Sequence, residues 1–250
     1  MVPRNLNLNL TADVKKVKYN GLELNDAKGQ MIINNGSIVL KQTGFTLIGA
    51  PVVMDATYTS IDPKRASFDY HISAKEFDIK RAYNEIKLFH DMASSAASAE
   101  GIVSLDYQLS GRLNSNMQPV YPSIKGGGVL SVKKVKLKGL RLFGAVGSKT
   151  DHKGLDTGDV SKVDLKTTIA NNIITIERTK MRMAGFRLRF DGQVSFDNAL
   201  NLHFRLGLPP FGLLGIPMTI TGTQAKPVIH LGNGKKEDEL KETDDTDTGN

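Results

Sequence analysis

Five histidines (His71, His90, His152, His203 and His230), a glycine triplet at Gly126-Gly127-Gly128 and two lysine-rich strings are the residues whose types could do chemistry. The histidines show no His-x-x-x-His or comparable metal-ligand spacing. His71 and His203 fall in the middle of apolar-alternating runs, where a structural role is the expectation, and His90-Asp91 closes a helical pattern. The glycine triplet has no following Gly-Lys-Ser/Thr, so it is no phosphate loop, and glycine ahead of a strand predicts a turn. Gly-x-Ser-x-Gly is absent, no carboxylate pair stands apart from ordinary surface acids, and there is no cysteine. The expectation is a protein without catalytic residues, metal or cofactor.

The lysines are written twice. VKKVKYNGLEL (14–24) returns as VKKVKLKGLRL (132–142), identical at 8 of 11 positions. Lys133, Lys134, Lys136, Lys138 and Arg141 could form a basic stripe, but Val and Leu stand between them where a single-strand binder needs aromatic platforms. No nucleic-acid partner is expected. A solvated polar face explains the charge, with lipid head groups the next candidate for Lys133, Lys134, Lys136, Arg182, Arg187 and Arg189.

Those residues sit in elements of one kind. Leu6, Leu8, Leu10, Ala12 and Val14 alternate with Asn5, Asn7, Asn9, Thr11 and Asp13; MRMAGFRLRFDGQVSF (181–196) alternates in the same way. Period two with one oily side predicts an antiparallel sheet covered on one face. Turn signals at Asn20-Gly21, Asn34-Asn35-Gly36, Asp62-Pro63, Asn171-Asn172 and Asp197-Asn198 predict hairpins. Within both lysine strings the apolar phase slips from even to odd numbers. An extra residue at Lys15-Lys16 and at Lys133-Lys134, a β-bulge that coils the strand, would produce that slip. One segment departs from period two: Ile79, Ala82, Tyr83, Ile86, Phe89 and Ala93 have helical spacing behind Asp78 as N-cap, predicting an amphipathic helix over about 78–98.

The 250 residues carry a net charge of +7. The tail 233–250 has 3 Lys against 7 acids, a net of −4, which leaves +11 on residues 1–232. The tail lacks apolar patterning and is expected to be disordered and acidic. No run of ~18 apolar residues is present for a membrane-spanning helix, and no secretory leader is recognisable at the start of the chain. Runs following the lysine strings recur in order: GQMIINNGSIVL with DLKTTIANNIITI, GFTLIGAPVVMDATYTS with GFRLRFDGQVSF, and ASFDYHISA with NALNLHFRLGL. The expected organisation is a β-meander unit over 1–123, a second over 124–232 and the tail. The expected fold is a mostly β chain: a long, strongly twisted antiparallel sheet curved into an apolar groove, with one amphipathic helix.

YNGLEL (19–24), KGGGVLSVKKVKLKGLRL (125–142), VDLKTTIANNIITIERTKMRMAGFRLRFDGQVSFDNALNLHFRL (163–206) and GIPMTITGTQAKPVIHLG (215–232) together resemble the C-terminal region of the AsmA family, relatives of TamB. The resemblance covers nearly the whole of 1–232 and is weakest over the helix. It implies a periplasmic, inner-membrane-anchored bridge protein of repeating β-grooves, linked to phospholipid traffic and outer-membrane biogenesis; the anchor helix is missing from this chain. The partner so implied is a phospholipid or another acyl-chain lipid. The expected groove lining is Leu8, Leu10, Ile38, Leu40, Leu47, Leu137, Ile174, Ile176, Met181, Met183, Leu188, Phe190, Phe204 and Leu206. An interaction module that adds a strand from an outer-membrane protein precursor to a free sheet edge is the alternative.

Overall fold

A computed structural model describes residues 2–19, 21–92, 97, 99–138, 141–151, 157–183, 185–208, 214–232 and 240. The alternating runs form strands β1 (Asn7–Tyr19), β2 (Leu22–Asn34), β3 (Ser37–Leu47), β4 (Ala50–Asp62), β5 (Arg65–Asp78) and β6 (Ala99–Leu113). They continue as β7 (Lys125–Lys138), β8 (Thr157–Ala170), β9 (Ile173–Met183), β10 (Phe186–Ser195), β11 (Leu200–Gly207), β12 (Gly215–Gly222) and β13 (Pro227–Leu231). These 13 strands make one open antiparallel sheet whose spatial order is the chain order. Asn and Gly supply the left-handed turn residues that such hairpins need: Asn35 and Gly36 at φ 45° and 79°, Asn171 and Asn172 at 50° and 66°.

The predicted helix is two short ones. Asp78 caps α1 (Ile79–Glu85), its carboxylate accepting from the Arg81 amide at 2.8 Å. Ile86 then leaves the helical region at φ −107°, ψ 105°, and α2 (Lys87–Met92) follows. Of the expected remainder, 93–96 and 98 lie outside the described residues, as does the tail apart from Leu240. A third helix, α3 (Arg141–Thr150), was not expected. It takes up the end of the second lysine string: Glu23-Leu24 is strand in β2, whereas the matching Arg141-Leu142 opens α3. Structural equivalence of the two strings therefore stops at Tyr19 and Leu137.

The glycine triplet is no turn either. Gly126, Gly127 and Gly128 lie inside β7, paired with Leu109, Gln108 and Tyr107 on one side and Ile169, Thr168 and Thr167 on the other. A Cβ at Gly128 would stand 2.1 Å from the Asp106 carbonyl oxygen and 2.7 Å from Tyr107 Cγ. The triplet thus lets β6 and β8 close on β7 more tightly than any side chain permits.

Both lysine strings interrupt their ladders at the anticipated place: β7 skips Lys133 and Lys162 against β8 as β1 skips Lys15 and Asp26 against β2, and β7 has a register shift besides, against β6. On β7 the register against β6 shifts between Val132 and Lys134, with Lys133 the extra residue. On β1 the pairing with β2 skips Lys15 and Asp26 without changing register, and Asp26 takes φ 52°. The two strands there slip together.

The ladders also correct the detail of the repeat. The β3–β4 hairpin turns at Gly49 (φ 83°) and the β9–β10 hairpin at Gly185 (φ 82°), so Gly185-Phe186 corresponds to Gly49-Ala50 and not to Gly44-Phe45. Both hairpins are bulged at matching places, between Leu40 and Thr43 and between Ile176 and Thr179. The β9–β10 hairpin thus stands to the second lysine string as β3–β4 stands to the first, six strands along the sheet.

Candidate functional site: the one-sided apolar face

Directly paired residues in an antiparallel ladder project to the same side of the sheet, so the register fixes which residues share a face. One row crosses from β1 to β11 as Leu10, Met31, Leu40, Ala56, Tyr70, Leu109, Gly126, Ile169, Ile174, Val194 and Leu200. Another joins Met181, Leu188, Leu206 and Ile216. All fourteen expected lining residues fall on this face. Leu137 is placed there by its backbone pairing with Ala99; its side chain is outside the described residues.

Burial along the face is uneven. Met183, Leu188, Phe204 and Leu206 are core residues at 1, 1, 4 and 0 % exposure, and Leu47, Ile176, Met181 and Phe190 pack half-buried against the main core cluster to which those four belong. Ile174 belongs to a second cluster around Leu109, Ile124 and Ile169. Ile38 and Leu40 are half-buried, and Leu8 and Leu10 are exposed at 39 and 45 %. The difference comes from the helices. Phe143 and Val146 of α3 enter the main core, the Phe143 ring meeting Phe204 edge-on at 6.0 Å between centroids. α1 and α2 bring Ile79, Ala82 and Phe89 over β5 and β6, with Phe89 edge-on to Phe77 at 5.9 Å. Sequence reasoning missed Phe143 and Val146, whose only signal was their three-residue spacing.

The residues expected to touch head groups lie elsewhere. Arg182, Arg187 and Arg189 project from the opposite, polar face, and Lys136 stands there between Glu100 and Asp159. Lys133 pairs with Glu76, and the Lys134 side chain is outside the described residues. Arginines on the far side of a sheet cannot meet the head group of a lipid whose chains lie in the middle of the apolar face.

The polar face also holds a cleft of about 1040 Å³ across β2–β7, lined by Gln30, Lys41, Asp55, His71, Asp106 and Gln108 among others. His71 Nε2 lies 2.8 Å from Asp106 Oδ1, and at the matching position on β11 His203 Nδ1 lies 3.4 Å from Asp191 Oδ2. Both histidines are exposed, each beside a carboxylate. Among the described residues no group of three His, Asp or Glu is arranged to hold a metal.

On the apolar side burial perturbs three phenols. Burial pushes Tyr70 up to about 12 and raises Tyr107 against the opposing effect of its hydrogen bond with Thr167. Tyr121 rises to about 12 through burial and through donating to the Asp91 carboxylate. Burial works to raise Asp91, but hydrogen bonds from Lys87, Tyr121 and His90 outweigh it and hold the carboxyl below its ordinary value. That cluster ties α2 to the 3-10 turn Tyr121–Ser123 ahead of β7. No described helix is long and apolar enough to cross a membrane. Comparison with family models, curated proteins and solved structures gives no match.

Proposed function

We propose that the protein is a lipid-shielding module of a cell envelope, in which acyl chains rest on the apolar face of β1–β4 while β9–β12 form a permanent core. The observation that carries this reading is the row Leu8, Leu10, Val14 and Val17, exposed at 39, 45, 40 and 37 % on a face that is buried farther along the same sheet. Contiguous exposed apolar surface of this kind marks a surface that is covered in use. A two-tailed lipid of about 30 methylenes loses roughly 25 kcal/mol on exposure to water at ~0.8 kcal/mol each. Laying even part of its tails on the stripe offsets much of that. Such a carrier uses no catalytic residue. The resemblance to the AsmA family supports a periplasmic setting, tethered to the inner membrane, with phospholipid passed outward in outer-membrane biogenesis.

Native mass spectrometry of the purified protein, with extraction and identification of bound lipid, tests the reading. Co-purifying lipid, or uptake of a fluorescent phospholipid that Leu8→Asp with Leu10→Asp abolishes without unfolding, is the expected result. A folded protein that neither carries nor takes up lipid ends it. No described strand pairs with the outer edge of β1, which favours, as the second reading, strand addition by an outer-membrane protein precursor. Lipid-free protein that binds such a precursor would select it.

A further inference from the structure

The polar face of β9–β11 carries a charge arrangement that the fold does not require. Arg182 stands directly opposite Arg187, and Lys180 opposite Arg189, which in turn faces Arg205 on β11. Like charges directly across a ladder destabilise a sheet. Lys180, Arg182, Arg187 and Arg189 are exposed, and among the described residues no carboxylate pairs with any of them. The nearest acid on β10, Asp191, is beside His203. Arg205 is held in the array by Gly215, whose missing side chain leaves room for the guanidinium: a Cβ there would be 2.8 Å from Arg205 Cζ.

The first six strands provide an internal control. Hairpin for hairpin, Arg182 and Arg187 correspond to the pair Thr46 and Pro51, and Lys180 and Arg189 to Gly44 and Val53. Arg205 corresponds to Ser73, the partner of Val53 on β5. None of these five is charged. The same backbone is therefore built without the cations, so the fold alone does not account for their concentration at matched positions of the second copy.

We propose that Lys180, Arg182, Arg187, Arg189 and Arg205 form a docking surface for the phosphate groups of an anionic phospholipid membrane. Neighbouring strands are ~4.8 Å apart and same-face neighbours along a strand ~6.8 Å, so the array is wider than one phosphate and faces solvent without an enclosing cavity. A flat, open array of cations matches a plane of anionic head groups. Single-stranded nucleic acid would require stacking rings among the charges, and the rings of these strands, Phe186, Phe190 and Phe204, project to the apolar face. The surface lies on the opposite side from Leu8 and Leu10, so it orients the domain against a membrane independently of whether the apolar face carries lipid.

Co-sedimentation of the full chain with vesicles tests the proposal. Phosphatidylcholine vesicles containing about 30 % phosphatidylglycerol are expected to bind it, more weakly as salt rises, and pure phosphatidylcholine vesicles are not. Removing two charges with Arg187→Gln and Arg189→Gln should weaken binding about 25-fold. Lys15→Gln with Lys18→Gln, an equal loss of net charge on β1, should change it less than about threefold. The thermal midpoint of the arginine double variant should not fall, because only like-charge contacts are lost. Equal losses from both pairs would reduce the effect to net charge and overturn the proposal. So would absent binding to the anionic vesicles, tighter arginine-dependent binding to duplex DNA, or unfolding of the arginine variant.

Discussion

Val14 and Val17 on β1 have twins in Val132 and Val135 on β7, from the same five-residue string, yet the first pair is 40 and 37 % exposed and the second 9 and 3 %. Register and face are the same; what differs is cover. β7 has a strand on each side and α3 follows it, whereas β1 has a neighbour on one side and the tight turn around Gly21 in place of a helix. Identical local sequence is core in one copy and surface in the other, so burial here is set by the roof and not by the strand.

Truncations should separate the two halves most strongly. Leu206→Ala, at a fully buried site, is expected to cost about 3–4 kcal/mol and Leu10→Ala under about 1 kcal/mol, both measured by urea unfolding. Comparable costs would mean that β1 is covered in solution. A smaller effect is expected at the crowded strand between the halves. Gly128→Ala must push apart β6 and β7, where the added carbon would meet the Asp106 carbonyl, at about 2–3 kcal/mol.

The smallest effect concerns the seam itself. Tyr70 and Tyr121 pack in the cluster that joins Phe68 and Tyr107 of the first six strands to Ile174 and Phe196 of the second. Their folded-state values of about 12 lie above the ordinary phenol value of 10, so the fold favours the neutral form. The stability they contribute is complete below pH 10 and is lost as pH rises from about 10 through about 12. Chemical denaturation across that window should show the decline, and Tyr70→Phe should shrink it.

Much of this architecture was legible in the chain. Alternation gave the strands, Asn-Gly pairs the turns, Asp78 the helix start, and phase slips located the irregularities at Lys15 and Lys133. Carrying the apolar phase across the slips put every expected lining residue on one side, because beyond each slip the ladder resumes with apolar residues paired on the same face. The failures share a cause. α3 contains two glycines in ten residues and begins on the last two positions of a string that is strand elsewhere, so its conformation is settled by Phe143 and Val146 entering the main core, Phe143 against Phe204, which is remote in sequence. The triplet at 126–128 reads as a turn until the closeness of β6 and β8 is known. The arginine row looked like ordinary polar alternation because opposition of like charges exists only between strands.

The count of strands has a consequence for how copies of the molecule can meet. Among the described residues the sheet has 13 strands, each antiparallel to the next, so β1 and β13 run in the same direction. Copies laid side by side, apolar faces matched, could join end to end only through a parallel ladder, the weaker kind per residue. With the faces matched, an antiparallel joint must pair β1 with β1 or β13 with β13, and each such joint is two-fold symmetric. Arithmetic parity thus reserves the stronger ladder for two-fold joints and withholds it from head-to-tail stacking with matched faces, a property that belongs to no single residue.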